Sequence, residues 1–460
     1  MQIYHVVLLV LALLLILLAV RMPVALALGL SGGIGLVLLR GFDYGTNTLA
    51  SVPFTSSASF TLTIIPMFIL MGMFAVRANV AVNVFTVANH FVRRAPGGLG
   101  VATVMACAGF SAVSGSSIGT AATMSKLAVG QMRRSGFPAS LATGIVAIAG
   151  TLGVMIPPST FLVLYAVLSS QSVARVLAAG IIPGLLAAAG YIAYIMIVGQ
   201  RMIRRELART SGGTGDLSAA VEDAQAELRA RTGGGTSIAS LPWRGLVHVA
   251  ILFLIVMGGM YSGVFTSTEG AAVGALAGLV ILVVENRREG LAHIYRAFRD
   301  SLLDTAQTTS MVFFIVIGSG ILSAFLVTAG VTNTVTEWVT GLPMPPMLTM
   351  ALLLICLVPL GMFLESMSIL ILSVPILVPI ATELGFDTIW LGIMIVKLIE
   401  IGMVTPPVGI ITFVIAGTAD VRSETVFRGV LPLVVMDLLT TTVLFLFPQI
   451  TLFLPSLVRT

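Results

Sequence analysis

Two short stretches combine a glycine with two consecutive prolines inside apolar runs of spanning length, and this combination points to cation binding. The first is GVMIPPS, from Gly153 to Ser159, and the second is GMVTPP, from Gly402 to Pro407. Proline has no backbone N–H, so each pair removes two hydrogen bonds from a helix. In a bilayer core no water replaces them. The carbonyls and helix ends exposed at such a break carry partial negative charge, which attracts a small cation.

The freed carbonyls can be named from the spacing. Pro157 frees the carbonyl of Gly153, four residues earlier, and Pro158 frees that of Val154. Two polar tetrapeptides can supply further oxygens, SGSS at 114–117 and ESMS at 365–368. An all-oxygen cage of this kind fits a monovalent ion, and we expect sodium. The alternative is that each Pro-Pro pair only kinks a packed helix; its recurrence beside a polar segment favours the ion site.

The composition is that of a polytopic membrane protein. Of 460 residues, 57% are hydrophobic and 9% are charged, and the mean hydropathy is +1.08, whereas soluble domains carry about 25% charged residues. Cys107 and Cys356 lie in apolar surroundings, which fits neither a disulfide framework nor a zinc site. The net charge of +5 comes from arginines at the ends of apolar segments, the positive-inside pattern. No HExxH motif or intramembrane Ser/His dyad supports an enzyme.

Apolar segments of roughly 20 residues predict about ten crossings. The predicted crossings are 4–20, 24–39, 58–76, 138–170, 176–199, 245–264, 269–285, 301–330, 387–418 and 430–453. Two further stretches have short apolar arms around a polar tip, and we expect them to be re-entrant hairpins. For the first, a conventional pair of crossings is the alternative. The fold class is therefore an all-α polytopic membrane protein with two re-entrant helical hairpins and two broken helices.

The chain divides into five predicted units. They are N-terminal scaffold helices (1–57), a first repeat (58–200, with arm 80–94, hairpin 97–132 and broken helix 138–170), a cytoplasmic insert (201–244), central scaffold helices (245–290) and a second repeat (291–460, with arm 331–341, hairpin 346–383 and broken helix 387–418). The insert is placed in the cytoplasm by its basic start, and its segment from Asp216 to Arg231 predicts a polar helix.

An internal repeat relates the two breaks. A shift of 249 residues carries Gly136-Phe137 onto Gly385-Phe386, Gly153 onto Gly402 and Ser117 onto Ser366. The first copy begins inside and the second begins outside in the predicted topology. Inverted repeats with broken helices are the architecture of secondary transporters whose sites lie near the midplane.

At these residues the chain resembles the large membrane subunit of the tripartite ATP-independent periplasmic (TRAP) transporters, over nearly its whole length. The resemblance is carried by SGSSIGTAATMSKLAVGQMRRSGF, GTLGVMIPPS, AAGIIPG, GVFTSTEGAA, GMFLES and GMVTPP. It implies sodium-driven uptake of an organic acid, such as a C4-dicarboxylate or sialic acid, by an elevator movement in the bacterial inner membrane. It also implies two partners, a small four-helix membrane subunit (Q-type) and a periplasmic binding protein (P-type) that delivers the substrate.

The resemblance implies two sodium sites and a substrate site. The first sodium site would use Ser114, Ser116, Gly153, Ile156 and Pro158, largely through carbonyls. The second would use Glu365, Ser366, Ser368, Gly402, Thr405 and Pro407. The family usually has aspartate at the position of Glu365, so this chain has a carboxylate one methylene longer. Because an anion needs hydrogen-bond donors, we expect the substrate carboxylate to contact five serines, Ser116, Ser117, Ser159, Ser366 and Ser368.

Three charged residues lie deep inside predicted crossings, away from the crossing ends. Lys397 and Glu400 are three apart on one helix, so they share a face and can pair; we favour a neutralised structural pair. Asp437 lies in the last predicted crossing, beside three threonines.

Two other functions remain open. One is a transporter of related fold that works alone, a divalent-anion/sodium symporter or an anion exporter. The other, from a different class, is an ion channel.

Overall fold

The computed structural model describes residues 3–20, 22–92, 95–210 and 241–458, and these residues form helices and turns without a strand. The helix predicted from Asp216 to Arg231 lies outside the described residues, as do Arg21, Arg93 and Arg94. The helices are α1 (Ile3–Ala19), α2 (Val24–Arg40), α3 (Phe42–Ser57), α4 (Phe60–Arg77), α5 (Val80–Val92), α6 (Gly98–Ser114), α7 (117–134), α8 (Ala139–Met155), α9 (Thr160–Leu168), α10 (173–210), α11 (Trp243–Tyr261), α12 (Ser267–Asn286), α13 (Leu291–Thr328), α14 (Val331–Thr340), α15 (Pro346–Phe363), α16 (Ser366–Glu383), α17 (Thr388–Val404), α18 (Ile410–Ala419), α19 (Ser423–Leu446) and α20 (Pro448–Leu457).

Within the described ranges, eight helices are long and apolar enough to cross a bilayer, and the bent pair α8–α9 makes a ninth span. Helices α1, α2 and α17 are apolar as well but have 17 residues each, about 26 Å at the α-helical rise. Every predicted crossing therefore contains a helix. The protein is an all-α, multi-pass membrane protein.

Helix α3 was not predicted. Its sequence, FDYGTNTLASVPFTSS, is polar, has no apolar stripe and contains Pro53. Five of its Ser and Thr hydroxyls donate to carbonyls three or four residues earlier, among them Thr46 to Phe42 at 2.9 Å and Thr48 to Tyr44 at 2.8 Å. It packs against α2 and α13, and this tertiary packing outweighs its weak intrinsic preference for helix.

The same helix-ending turn appears in both repeats, at the Gly-Phe pair. The Phe137 N–H donates to the Met132 carbonyl at 3.0 Å, and the Phe386 N–H donates to the Ala381 carbonyl at 2.8 Å. Each preceding glycine has positive φ, 82° at Gly136 and 79° at Gly385. This is the Schellman arrangement, which needs a left-handed residue at the glycine. The repeated sequence thus encodes a repeated turn between hairpin and broken helix.

Both hairpins and both broken helices are present. Helices α6 and α7 turn at Gly115, which has a φ of 58°, and α15 and α16 turn at Leu364 and Glu365. Helices α8 and α9 are bent by 45° across residues 156–159. Helices α17 and α18 are interrupted across residues 405–409. The structure confirms the predicted fold class.

The broken helices form the centre of the core. Every residue of α17 from Ile389 to Val404 is buried. Tyr165 of α9 packs on Gly392 and donates to the Thr388 carbonyl. The two repeats therefore contribute to one core, with the second broken helix inside it.

The first broken helix crosses α19 at two glycines. A Cβ placed on Gly429 would lie 1.7 Å from the Ser140 carbonyl oxygen, and one on Gly144 would lie 2.3 Å from the Gly429 carbonyl carbon. No side chain fits between these backbones. Small residues allow such close approach, which is how helices associate within a bilayer.

Gly429→Ala should destabilise the protein by about 1–3 kcal/mol, the usual range for overpacking, because α8 and α19 must separate. Gly417→Ala is the matched control, since a Cβ on that helical glycine would meet no atom within 4 Å. The measurement is the apparent Tm of the purified protein in detergent. Equal Tm values for the two variants would contradict the close crossing.

Candidate functional site

The tip of the first hairpin lies directly on the first helix break. A Cβ on Gly153 would lie 2.5 Å from the Ser116 carbonyl oxygen, and one on Gly115 would lie 3.2 Å from the Pro158 carbonyl oxygen. The Thr160 hydroxyl donates to the Gly115 carbonyl at 3.0 Å. Glycine at 115 and 153 is thus required by close approach of two backbones. The contact brings several backbone carbonyls to one place.

The hydroxyls at this tip are engaged within the hairpin. The Ser114 and Thr120 hydroxyls hydrogen-bond to each other at 2.7 Å, and the Ser116 hydroxyl accepts from the Gly119 N–H at 3.2 Å as the N-cap of α7. Ile156 lies in the break and packs against Gly184 of α10. All five residues predicted for the first sodium site therefore lie at or beside this junction, where carbonyls rather than hydroxyls are the available ligands.

Some carbonyls freed by proline find other partners. The Val154 carbonyl accepts from the Ser159 hydroxyl at 2.5 Å. In the second copy the Gly402 carbonyl accepts from the Thr405 N–H at 3.0 Å. The Val404 carbonyl, which the end of α17 rather than a proline leaves free, accepts from the Thr412 hydroxyl at 3.3 Å. The breaks are thus partly satisfied by local hydroxyl and amide donors, as required where water is absent.

The second junction is built differently from the first. A Cβ on Gly402 would lie 2.5 Å from the Val358 carbonyl oxygen and 2.7 Å from the Gly361 Cα, so this glycine meets the first arm of its hairpin. The Gly409 N–H donates to the Met362 carbonyl at 3.3 Å. Pro407 is exposed, whereas its equivalent Pro158 is buried. The first junction is therefore closed and the second is more open.

The side chains of the second predicted sodium site point to several partners. Glu365 is the N-cap of α16, and its Oε2 accepts from the Ser368 N–H at 3.2 Å and from the Ser368 hydroxyl at 3.4 Å. The Thr405 hydroxyl donates to the Ile401 carbonyl at 2.5 Å. The Ser366 hydroxyl contacts the Met403 sulfur. The structure thus brings Glu365, Ser366 and Ser368 together at the tip, and places Thr405 on the break.

Four of the five serines predicted to bind substrate are buried. Those four are Ser117, Ser159, Ser366 and Ser368, while Ser116 is half-buried. Ser159 already makes two hydrogen bonds, since its hydroxyl donates to Val154 and accepts from the Leu162 N–H at 3.3 Å. In this conformation an anion therefore has no access to most of these hydroxyls, and it reaches them only after the hairpin tips have moved.

The hypothesis that Lys397 pairs with Glu400 is wrong. Lys397 forms its ion pair with Asp437 of α19, and the Tyr191 hydroxyl of α10 donates to the same Asp437 Oδ1 at 2.5 Å. Glu400 accepts from the Ser117 hydroxyl at 3.3 Å instead. A shared helical face allows a pair at spacing three but does not require one. Here the acidic partner comes from another helix 40 residues away.

A cavity of about 210 Å³ opens beside the first hairpin. It lies between the ends of α4 and α5 and the second arm α7, and its polar lining includes Asn79, Thr123 and Lys126. Lys126 places a basic group in the lining of this cavity, at the edge of the hairpin.

Comparison with known proteins agrees with this architecture. The family model described as "Tripartite ATP-independent periplasmic transporter, DctM component" matches residues 11–450. The C4-dicarboxylate TRAP transporter large permease protein DctM of Pseudomonas aeruginosa is 34% identical over 430 residues, which cover 94% of each chain. The sialic acid TRAP transporter large permease protein SiaM of Vibrio cholerae is 29% identical and covers 90% of each chain.

A third relative and one solved structure extend the comparison. The isethionate TRAP transporter permease protein DctMQ of Oleidesulfovibrio alaskensis is 30% identical over 94% of this chain and 64% of its own length. The crystal structure of the Alcanivorax borkumensis YdaH transporter has a TM-score of 0.61 at 14% identity over 89% of each chain, which shows a shared fold. The chain therefore belongs to the DctM component family of the tripartite ATP-independent periplasmic (TRAP) transporters.

Proposed function

We propose that this chain is the transport subunit of a sodium-coupled importer of an organic acid in the bacterial inner membrane. The substrate is a C4-dicarboxylate, sialic acid or a similar carboxylate, received from a periplasmic binding protein. A small four-helix membrane subunit completes the transporter, and the chain itself performs no catalysis. The observation that carries the proposal is the pairing of each Pro-Pro break with the arm or tip of a hairpin.

The charges of the core favour coupling to a cation. Lys397 is the one buried Lys or Arg among the described residues, and it is already paired with Asp437. A carboxylate moved into this core therefore finds no uncommitted buried basic side chain in the described chain. An unneutralised charge at the bilayer centre is costly. Sodium ions carried in with the substrate would supply the missing positive charge.

Two sodium ions are proposed at the two junctions. Carbonyls of the first tip and first break would hold one, with Ser114, Ser116, Gly153, Ile156 and Pro158 contributing. Glu365, Ser366, Ser368, Gly402, Thr405 and Pro407 would contribute to the other. Hard oxygen ligands suit such an ion. Binding would fix both tips and so complete the surface on which N–H groups and serine hydroxyls meet the substrate.

Sodium-dependent uptake tests the function directly. In proteoliposomes that contain this chain, its small membrane subunit and the binding protein, a sodium gradient should drive accumulation of a radiolabelled organic acid. Uptake without the binding protein would favour the symporter or exporter that works alone. Sodium flux without accumulation would favour a channel.

Pro157→Ala/Pro158→Ala should abolish sodium-dependent uptake, with a loss of more than about tenfold, because the restored N–H groups recapture the freed carbonyls. The protein should still fold, since alanine favours helix. Pro53→Ala is the control, because Pro53 lies inside α3, outside both repeats. Retained uptake in the double variant, with Pro53→Ala also active, would contradict the carbonyl cage.

We propose further that the hairpins and broken helices of both repeats move together, as in an elevator. The Thr418 hydroxyl of α18 donates to the Ser125 hydroxyl of α7 at 2.8 Å, so the second broken helix contacts the first hairpin directly. With both repeats in one core, a movement that carries this core as a body leaves such contacts intact.

A Ser125→Cys/Thr418→Cys disulfide distinguishes the elevator from a rocking of one repeat against the other. In a background without Cys107 and Cys356, oxidation should leave at least about half of the uptake, because the two residues belong to one moving body. The reduced protein is the control. Loss of uptake on oxidation and its recovery on reduction would show that the repeats separate during transport.

A further inference from the structure

Glu400 lies where the two repeats meet. It is 2% exposed, on the second broken helix α17. The Ser117 hydroxyl, at the tip of the first hairpin, donates to its Oε1 at 3.3 Å. Ser366, at the tip of the second hairpin, is also close enough to interact with the carboxylate. Ser117 and Ser366 are equivalent under the 249-residue shift. The Glu400 side chain therefore lies beside the corresponding position of both hairpins.

No basic side chain pairs with the Glu400 carboxyl group. Glu400 Oε2 is buried without a hydrogen-bond partner among the described residues. Lys397, one helical turn earlier, directs its ammonium to Asp437, and Glu365 adds a second carboxylate near Glu400. A buried carboxylate in such surroundings is strongly disfavoured unless it is paired. A proton or a cation from solution must therefore neutralise it, and a sodium-coupled transporter supplies sodium.

The ligands define the class of cation. They are one carboxylate with an unused oxygen and the hydroxyls of Ser117 and Ser366. Calcium typically takes six to eight oxygens, and no group of three or more acidic, His or Cys residues among the described residues forms a metal cluster. The equivalent of Glu400 in the first repeat is Thr151, so the carboxylate exists in one copy only. A single site for a monovalent cation fits these facts.

We infer that Glu400 binds a third sodium ion at the meeting point of the two hairpin tips, with Ser117 as a further ligand. This inference rests on the proposed sodium-coupled function and adds a site to the two junctions. The site differs from them because it takes a ligand from each repeat. Its ion is bound only while the first tip lies against the second broken helix, so it ties the position of one hairpin to the other.

Counting bound sodium tests the site. Equilibrium binding of ²²Na⁺ to the purified protein, together with its small membrane subunit, should give one ion fewer per protein in Glu400→Gln than in wild type. The sodium Hill coefficient of uptake should fall by about one. Glu424→Gln is the matched control, since Glu424 is an exposed carboxylate at the start of α19. Glu400→Gln should fold, because glutamine removes the unbalanced charge and can still accept from Ser117.

Ser117→Ala provides an independent measurement. It leaves the Glu400 carboxyl group in place but removes one ligand. The Kd of the lowest-affinity sodium ion should therefore rise about tenfold, which corresponds to about 1.4 kcal/mol. Wild-type ion number in Glu400→Gln would overturn the inference. If that variant does not fold, unchanged sodium affinity in Ser117→Ala would overturn it.

The result separates this inference from the proposed function. If wild type binds sodium and Glu400→Gln binds as many ions, the inference of a third site is overturned and the proposed sodium-coupled function stands. If wild type binds no sodium and its uptake does not respond to sodium, both are overturned.

Discussion

The structure depends on satisfying polar backbone groups where water is absent. A helix broken by Pro-Pro inside a bilayer is tolerated only if protein groups or a ligand meet the groups that the break exposes. At the first break the Ser159 hydroxyl donates to the freed Val154 carbonyl, and the Thr160 hydroxyl, just after the break, donates to the Gly115 carbonyl of the hairpin tip. Each broken helix thus packs closely against a hairpin. The unit that recurs within the chain is this pair of elements rather than a helix alone.

Close backbone contact is the second requirement, and glycine provides it. The contacts at Gly153, Gly402 and the Gly144–Gly429 crossing leave no room for a Cβ. Without a hydrophobic driving force between helices in lipid, such contacts and interhelical hydrogen bonds hold the core together. The same residues that let carbonyls gather at the junctions therefore also determine how the broken helices pack. The junctions of hairpin and broken helix and the packing of the core are one structural feature here.

Much of this architecture is predictable from the sequence, because apolar length and Pro-Pro positions are local signals. The crossings, hairpin tips and breaks all follow from them. Helix α3 is not predictable in this way, because its 16 residues have no apolar periodicity and are stabilised by α2 and α13. The partner of Lys397 is also hidden, because Asp437 comes from another helix and sequence spacing reports only neighbours on the same helix.

The two junctions also differ in ways that a repeat alignment cannot show. Residue-by-residue equivalence places Gly402 where Gly153 lies, yet Gly402 packs on Gly361 of the first hairpin arm, and Gly153 packs on the tip. The second repeat has acidic residues at 365 and 400, where the first has Ser116 and Thr151. Since a charged group inside a membrane is costly unless it is neutralised, these two carboxyl groups place a demand on the second repeat that the first does not have. An inverted repeat can therefore keep its symmetry in backbone and still differ between its halves in the charged groups that it buries.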